Sequence, residues 1–287
     1  MQGLCDLYPV CATCLILSTM TEHIGAASSP AEARAAIRAG EWTGITTGLC
    51  GGYVQANLAI LPAALAGEFT DFCRANPRPL PLLEVTEPGV PDRLRTAPGA
   101  DLRTDLPRYR VYRHGVLDTE PTSIESLWRD DFVAFLLGCS FSAEEALQSA
   151  GVRLRHLEAG TGVAMFRTSR RCEPAGRFHG PVVVSMRAIA EDQVERAHAV
   201  TAELPFAHGA PLHAGDPSVL GIADLAAPDW GDPMPVGPGD VPVFWACGVT
   251  PQAVLAEVRP EIAITHAPGH MFLTDLRVAE LASSSAS

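Results

Sequence analysis

No lysine occurs in these 287 residues; all 21 basic residues are arginine. That excludes a phosphate-loop lysine, a pyridoxal-phosphate Schiff base and every other mechanism that needs a lysine amine. Positive charge is also scarce overall. The net charge is −12, which argues against a nucleic-acid or anionic-membrane partner. No apolar run is long enough to span a bilayer. The first 19 residues are mildly apolar, but they hold Asp6 and no basic residue, so they make a poor secretory signal. Met20 then reads as the true start, with 1–19 a dispensable extension. The eight cysteines are scattered, and the one close pair, Cys11 and Cys14, has no second pair at zinc-ligand spacing. A reduced, cytoplasmic protein is expected. No internal repeat is visible.

What is present is a globular composition, 47% apolar and 19% charged, long enough for one or two domains. The organising stretch is VPVFWACGVTPQAVL, 241–255. Val241 to Trp245 reads as a buried strand, Cys247-Gly248 as the break, and Thr250-Pro251 as the start of a helix. Cys247 then sits where backbone N–H groups collect and thiol pKa values fall; its bland reading is a small buried apolar residue. Gly138-Cys-Ser-Phe-Ser142 is a second such turn, with Ser142 and Glu145 spaced as a capping box. Ser29-Pro30-Ala31-Glu32 is another capping box, opening a helix that Gly40 closes.

Between these turns the chain alternates strand and helix patterns. Tyr53 onward, with Gln55 and Asn57, reads as a helix after a Gly/Thr-rich loop. Residues 65–75 and Ser123 to Leu137 also read as helices. Pro81 to Val85, Tyr109 to Gly115, Gly162 to Thr168, Pro181 to Arg187 and Glu261 to Thr265 read as strands. Asp101, Arg103 and Asp105 alternate in a loop that is either an ion-pair network or a ligand site. His208, His213 and Asp216 lie in a Pro/Gly-stiffened loop whose spacing allows a metal but matches no standard site. The final residues, 279–287, read as a disordered tail.

Eight motifs occur in one order: GLCGGYVQAN (48–57), LLEVTEPG (82–89), ADLRTDLPRY (100–109), GCSFS (138–142), GPVVVSMR (180–187), HGAPLHAGDP (208–217), VPVFWACGVTPQ (241–252) and ITHAPGHM (264–271). Together they resemble the bacterial hydro-lyase family that includes the D-glutamate cyclase domain of vertebrates, over about 34–277. Ala143 and Ala188 depart from the family pattern at packing or turn positions. The resemblance implies two mixed α/β domains: 20–110 with 238–278 forming one from both chain ends, and 111–237 inserted as the other. It implies a lyase acting on a small acidic substrate, with no cofactor and no metal; a homo-oligomer stays open. Closing a five-membered lactam needs a base, an acid, oxyanion donors and a carboxylate clamp, but no ATP. The residues expected to supply them are His208 and His213 as base and acid, Asp216 as orienter, and Arg103 and Arg187 as clamps. Cys247 with Gly248 would stand at the oxyanion. Asp101, Asp105, Gln55, Asn57, Cys139 and Ser140 complete the expected substrate pocket. The alternatives are a metal-dependent hydroxy-acid dehydratase and a non-catalytic acid-binding protein.

Overall fold

A computed structural model describes residues 24–285 of the chain. The expectations for 1–19, Cys11 and Cys14 lie outside them. In chain order the elements are α1 (Pro30–Arg38), β1 (Tyr53–Pro62), α2 (Ala63–Ala75), β2 (Leu82–Val85), β3 (Tyr109–Arg113), β4 (Val116–Thr119), β5 (Phe132–Gly138), α3 (Glu144–Ser149), α4 (Arg155–Ala159), β6 (Ala164–Arg171), β7 (Pro181–Ala190), α5 (Val194–Ala202), β8 (His213–Ala214), β9 (Asp240–Ala246), α6 (Thr250–Val258), β10 (Ile262–His266), β11 (Phe272–Arg277) and α7 (Val278–Ser285). Short 3₁₀ turns connect several of them.

Two antiparallel sheets carry these strands. The first runs β2-β5-β1-β10-β3-β4, with β11 also pairing β1; the second runs β6-β7-β9-β8. The fold is mixed α/β. The first sheet draws on both ends of the described chain, and strands between 164 and 246 form the second. These sheets do not follow the expected boundaries at 110/111 and 237/238: β4 and β5 belong to the first sheet, and β9 to the second.

Three expected elements differ. Gln55 and Asn57 lie on a strand, not a helix. β1 is the centre of its sheet, and every residue from Val54 to Leu61 is buried, so neither face leaves the alternation that marks a half-exposed strand. Likewise Ser123 to Leu137 is no helix. It gives one 3₁₀ turn, Glu125–Leu127, and then β5, whose continuous apolar run FVAFLLG is buried on both faces. The tail from 279 is helical as far as Ser285. By contrast, the Ser29/Glu32 capping box forms as read: Ser29 Oγ accepts from Glu32 N–H at 3.3 Å, and Glu32 accepts from Ser29 N–H at 2.9 Å.

One large core joins the sheets. Phe69 and Phe72 of α2 pack with Phe135 of β5 and Phe178, with Phe69 edge-on to Phe135 at 4.8 Å and to Phe178 at 5.0 Å. β1 and β7 both enter this core, which fixes the ends of β5 and β9 on either side of one cavity. Among the described residues no helix is long and apolar enough to cross a membrane.

Candidate functional site

The cavity measures about 220 Å³ and is lined by Asn57 of β1, Cys139, Ser140 and Phe141 after β5, Ser185 of β7, His208, and Cys247, Gly248 and Val249 after β9. That is room for a small metabolite. Most of the remaining wall is apolar, from Ile45, Val163, Met165, Pro268 and Met271. Among the described lining residues only the exposed Asp232 is acidic, and none is an arginine.

The Cys247 turn forms because Gly248 has no side chain. A Cβ there would stand 1.9 Å from Asn57 Nδ2, so only glycine lets β1 and the β9–α6 turn approach this closely. Cys247 N–H donates to Val183 O at 3.0 Å, and the Cys247 carbonyl accepts from both Thr250 N–H and Thr250 Oγ1. The helix cap is Val249, one residue before the expected Thr250, because the Thr250 hydroxyl is engaged with β7. Gly248 N–H has no acceptor among the described residues. Burial pushes the Cys247 thiol up to about 11, and the Cys139 thiol is raised further by the same cause. Both are neutral thiols at pH 7, which weighs against a thiolate nucleophile here.

His208 is the buried imidazole that lines the cavity. Its Nδ1–H donates to Arg78 O at 2.7 Å, which fixes the tautomer, and its Nε2 is buried without a partner. Burial lowers its pKa to about 4, so it is neutral at pH 7 with an open lone pair. Its backbone is left-handed at φ 75°, a conformation that costs a non-glycine residue energy and marks constrained positions.

Arg187 does not face the cavity as a bare clamp. It is 3% exposed and is held by Glu144 (Nη2 to Oε1, 2.9 Å). It stands behind two cavity residues, donating through Nη2 to Ser140 Oγ at 3.2 Å and through Nη1 to Ser185 Oγ at 3.4 Å. A guanidinium can only donate, so each serine oxygen accepts and each hydroxyl proton is left to point elsewhere. Glu144 also accepts from His156 Nε2 at 2.8 Å. Burial pushes its carboxyl up, but His156 and Arg187 more than offset this and hold it below the usual range.

The remaining expected residues stand apart. Arg103 chelates Asp101 with contacts of 2.6–3.1 Å. Asp105 is buried, accepting from Arg38 Nε at 2.8 Å and from Asp101 N–H at 3.0 Å. The loop is the ion-pair network and is not brought to the cavity. His213 stacks on Phe244 and donates to Asp216 O, while the exposed Asp216 side chain caps Ser218 N–H. Neither joins His208, and no three His, Cys, Asp or Glu side chains converge as a metal site among the described residues. Gln55 lines a neighbouring cavity with Glu144 and Glu145. Its Nε2 donates to Thr46 O and Leu49 O. Ser142 makes no capping box with Glu145; its Oγ accepts from Gln55 N–H at 2.9 Å. Ser185 was not singled out in the sequence. The signal for it is its place two residues before Arg187 on a strand, hence on the same face.

The profile of the D-glutamate cyclase family matches residues 133–275. A "Putative hydro-lyase" of Stutzerimonas stutzeri is 58% identical over 253 residues, spanning 88% of this chain and 96% of that protein. "Putative hydro-lyase YcsI" of Bacillus subtilis is 53% identical over 254 residues, spanning 88% and 99%. Among solved structures, a nitrogen repressor-like protein from Methanococcus jannaschii overlays with TM-score 0.36 at 11% identity, covering 82% of this chain and 91% of that one. That overlay carries no argument about function.

Proposed function

Because this chain belongs to the hydro-lyase family that carries the D-glutamate cyclase domain, we propose that its cavity binds a small carboxylic acid and releases water from it, with D-glutamate the first substrate to test. The observation that carries the reading is the guanidinium of Arg187 seated behind Ser140 and Ser185. It leaves both hydroxyl protons free to donate and puts a buried guanidinium, itself paired with Glu144, directly behind them. A carboxylate at the two hydroxyls gains two hydrogen bonds and that charge, in a cavity where water competes little.

For D-glutamate the bond changes balance without a co-reactant. The nitrogen bonds to the γ-carboxyl carbon, one carbon–oxygen bond breaks, and two protons leave the ammonium nitrogen with that oxygen as water. His208 Nε2 takes a proton from the nitrogen and returns it to the leaving oxygen. Its neutral state at pH 7 and its fixed tautomer suit the first half of that task. A neighbouring substrate carboxylate favours the imidazolium and so suits the second half. Gly248 N–H is the donor for the oxygen that becomes negative.

Purified protein incubated with acidic amino acids and hydroxy acids, read by mass spectrometry, tests this. The expected result is loss of one water from D-glutamate, insensitive to EDTA. Turnover confined to hydroxy acids and abolished by the chelator would replace the proposal with the metal-dependent dehydratase.

A further inference from the structure

The fold repeats itself. β1 and β7 are each ten residues long, and β5 and β9 are each seven. They pair in one register: Ala56 with Gly138 through Pro62 with Phe132, and Val184 with Ala246 through Ala190 with Asp240. Helical structure begins directly after β1 and after β7, and an edge strand, β2 or β8, then pairs the outer side of β5 or β9. The closing strands are exchanged: β6 pairs β7, and β10 pairs β1.

The two turns share their main hydrogen bonds. Ser142 N–H donates to Cys139 O at 3.1 Å, and Thr250 N–H to Cys247 O at 3.0 Å. The Ser142 hydroxyl accepts from Gln55 N–H of β1 at 2.9 Å, and the Thr250 hydroxyl from Val183 N–H of β7 at 3.1 Å. Along 132–142 and 240–250 only Val133/Val241 and Cys139/Cys247 are identical, which is why the repeat is not visible in the sequence.

The shared register makes Asn57 the counterpart of Ser185, Gly248 of Ser140, Ala59 of Arg187 and Gln252 of Glu144. Ser185 and Ser140 meet at the Arg187 guanidinium; their counterparts, Asn57 and Gly248, meet directly. In one corner of the cavity a buried Arg187–Glu144 ion pair stands behind the wall. In the other the same places hold Ala59 and Gln252; Gln252 Oε1 accepts from Tyr112 Oη at 3.1 Å and from Arg110 Nη1 at 3.4 Å, and among the described residues no guanidinium bonds the lining residues Asn57 and Gly248.

Building on the acid-converting reading above, we infer that the two halves of this duplicated cavity have divided the substrate between them. The Ser140–Ser185 corner holds the carboxylate that survives the reaction. The Asn57–Cys247–Gly248 corner receives the carboxyl group whose carbon–oxygen bond breaks. A guanidinium donating to both lining hydroxyls favours an anion that keeps its charge. With no guanidinium bonded to its lining residues, the other corner avoids trapping the reacting carboxyl as a tightly bound anion, and Gly248 N–H with the protonated Cys247 thiol offers donors to the oxygen that develops charge. Asn57 Nδ2 is fixed on Gly138 O at 2.6 Å, and no donor reaches its Oδ1 among the described residues, so that oxygen can accept from the substrate nitrogen.

The test separates binding from turnover in Ser185→Ala and Cys247→Ala. Ser185→Ala is expected to raise KM about tenfold with kcat within about twofold, and to weaken calorimetric binding of butyrate, an unreactive monocarboxylate, about tenfold. Cys247→Ala is expected to lower kcat about tenfold or more, with KM and butyrate affinity within about threefold. If Cys247→Ala melts early, Asn57→Ser, which installs the counterpart residue, is read the same way. The reverse pattern, or equal effects on KM and kcat in both variants, overturns the division. If wild-type protein converts no acid yet binds butyrate through Ser185, the functional reading falls while the carboxylate corner stands; if it binds no carboxylate at all, both fall.

Discussion

Arg103 and Arg187 carry the same charge, but Arg187 is buried behind two cavity serines while Arg103 lies away from the cavity. Arg103 is about one-third exposed, and its hydrogen bonds close on Asp101 two residues away. Arg103→Lys is therefore expected to leave KM unchanged and to lower Tm only slightly, since a surface pair contributes about 0–1 kcal/mol. A KM rise of about tenfold, the cost of one lost charged hydrogen bond, would return Arg103 to the substrate. The histidines make a second residue-level prediction. His208 and His266 are both fully buried, and burial lowers each from the ordinary 6.5 to about 4. The unfolded chain takes up protons below about 6.5 that the folded chain refuses until about 4. Stability is thus fully present above pH 6.5 and falls as pH drops through that window. Melting curves from pH 7 to pH 4.5 should show this decline, shallower in His208→Gln; a Tm flat across the window would contradict the neutral buried assignment. The kcat/KM of the wild type should keep its acid limb near 4, where His208 Nε2 becomes protonated.

At the scale of elements, the turns and the inner strands β7 and β9 were legible in the sequence, and β1 and β5 were not. A short apolar run, a break and a Thr-Pro start placed Cys247 between β9 and α6, as found. Gln55 and Asn57 were misplaced because β1 is covered on both faces, which erases the alternation a strand is read from. The failure at 123–137 has the same cause. Of the expected site residues, the structure brings Asn57, Cys139, Ser140, His208, Cys247 and Gly248 to one wall, with Arg187 behind it. Arg103, His213 and Asp216 fell outside because loop sequence reports charge but not the direction in which a side chain is held. The contact of Asn57 with Gly248 is a property of two elements, and it can be tested as one. Gly248→Ala should destabilise by about 1–3 kcal/mol through overpacking, with an early melt and little activity. The double variant Asn57→Ala with Gly248→Ala should recover part of the stability, a coupling that independent sites do not show. Additive losses would mean the contact is not what constrains the turn.

At the scale of the molecule, the pairs β1–β5 and β7–β9 repeat one register and share a core, with a cavity between the turns that follow them. That arrangement explains why polar residues so far apart in the chain meet, and why the cavity wall carries so little charge of its own. It also makes His208 the unusual member: a strained, buried imidazole with one nitrogen tied to Arg78 and the other open. The most direct measurement is water loss from D-glutamate, followed by mass spectrometry in parallel reactions of wild-type protein and His208→Gln, with melting curves showing that both are folded. The predicted result is formation of 5-oxoproline by the wild type and a rate at least about a hundredfold lower in His208→Gln, the span of one general acid–base group. A folded His208→Gln protein that releases water at the wild-type rate would contradict the account.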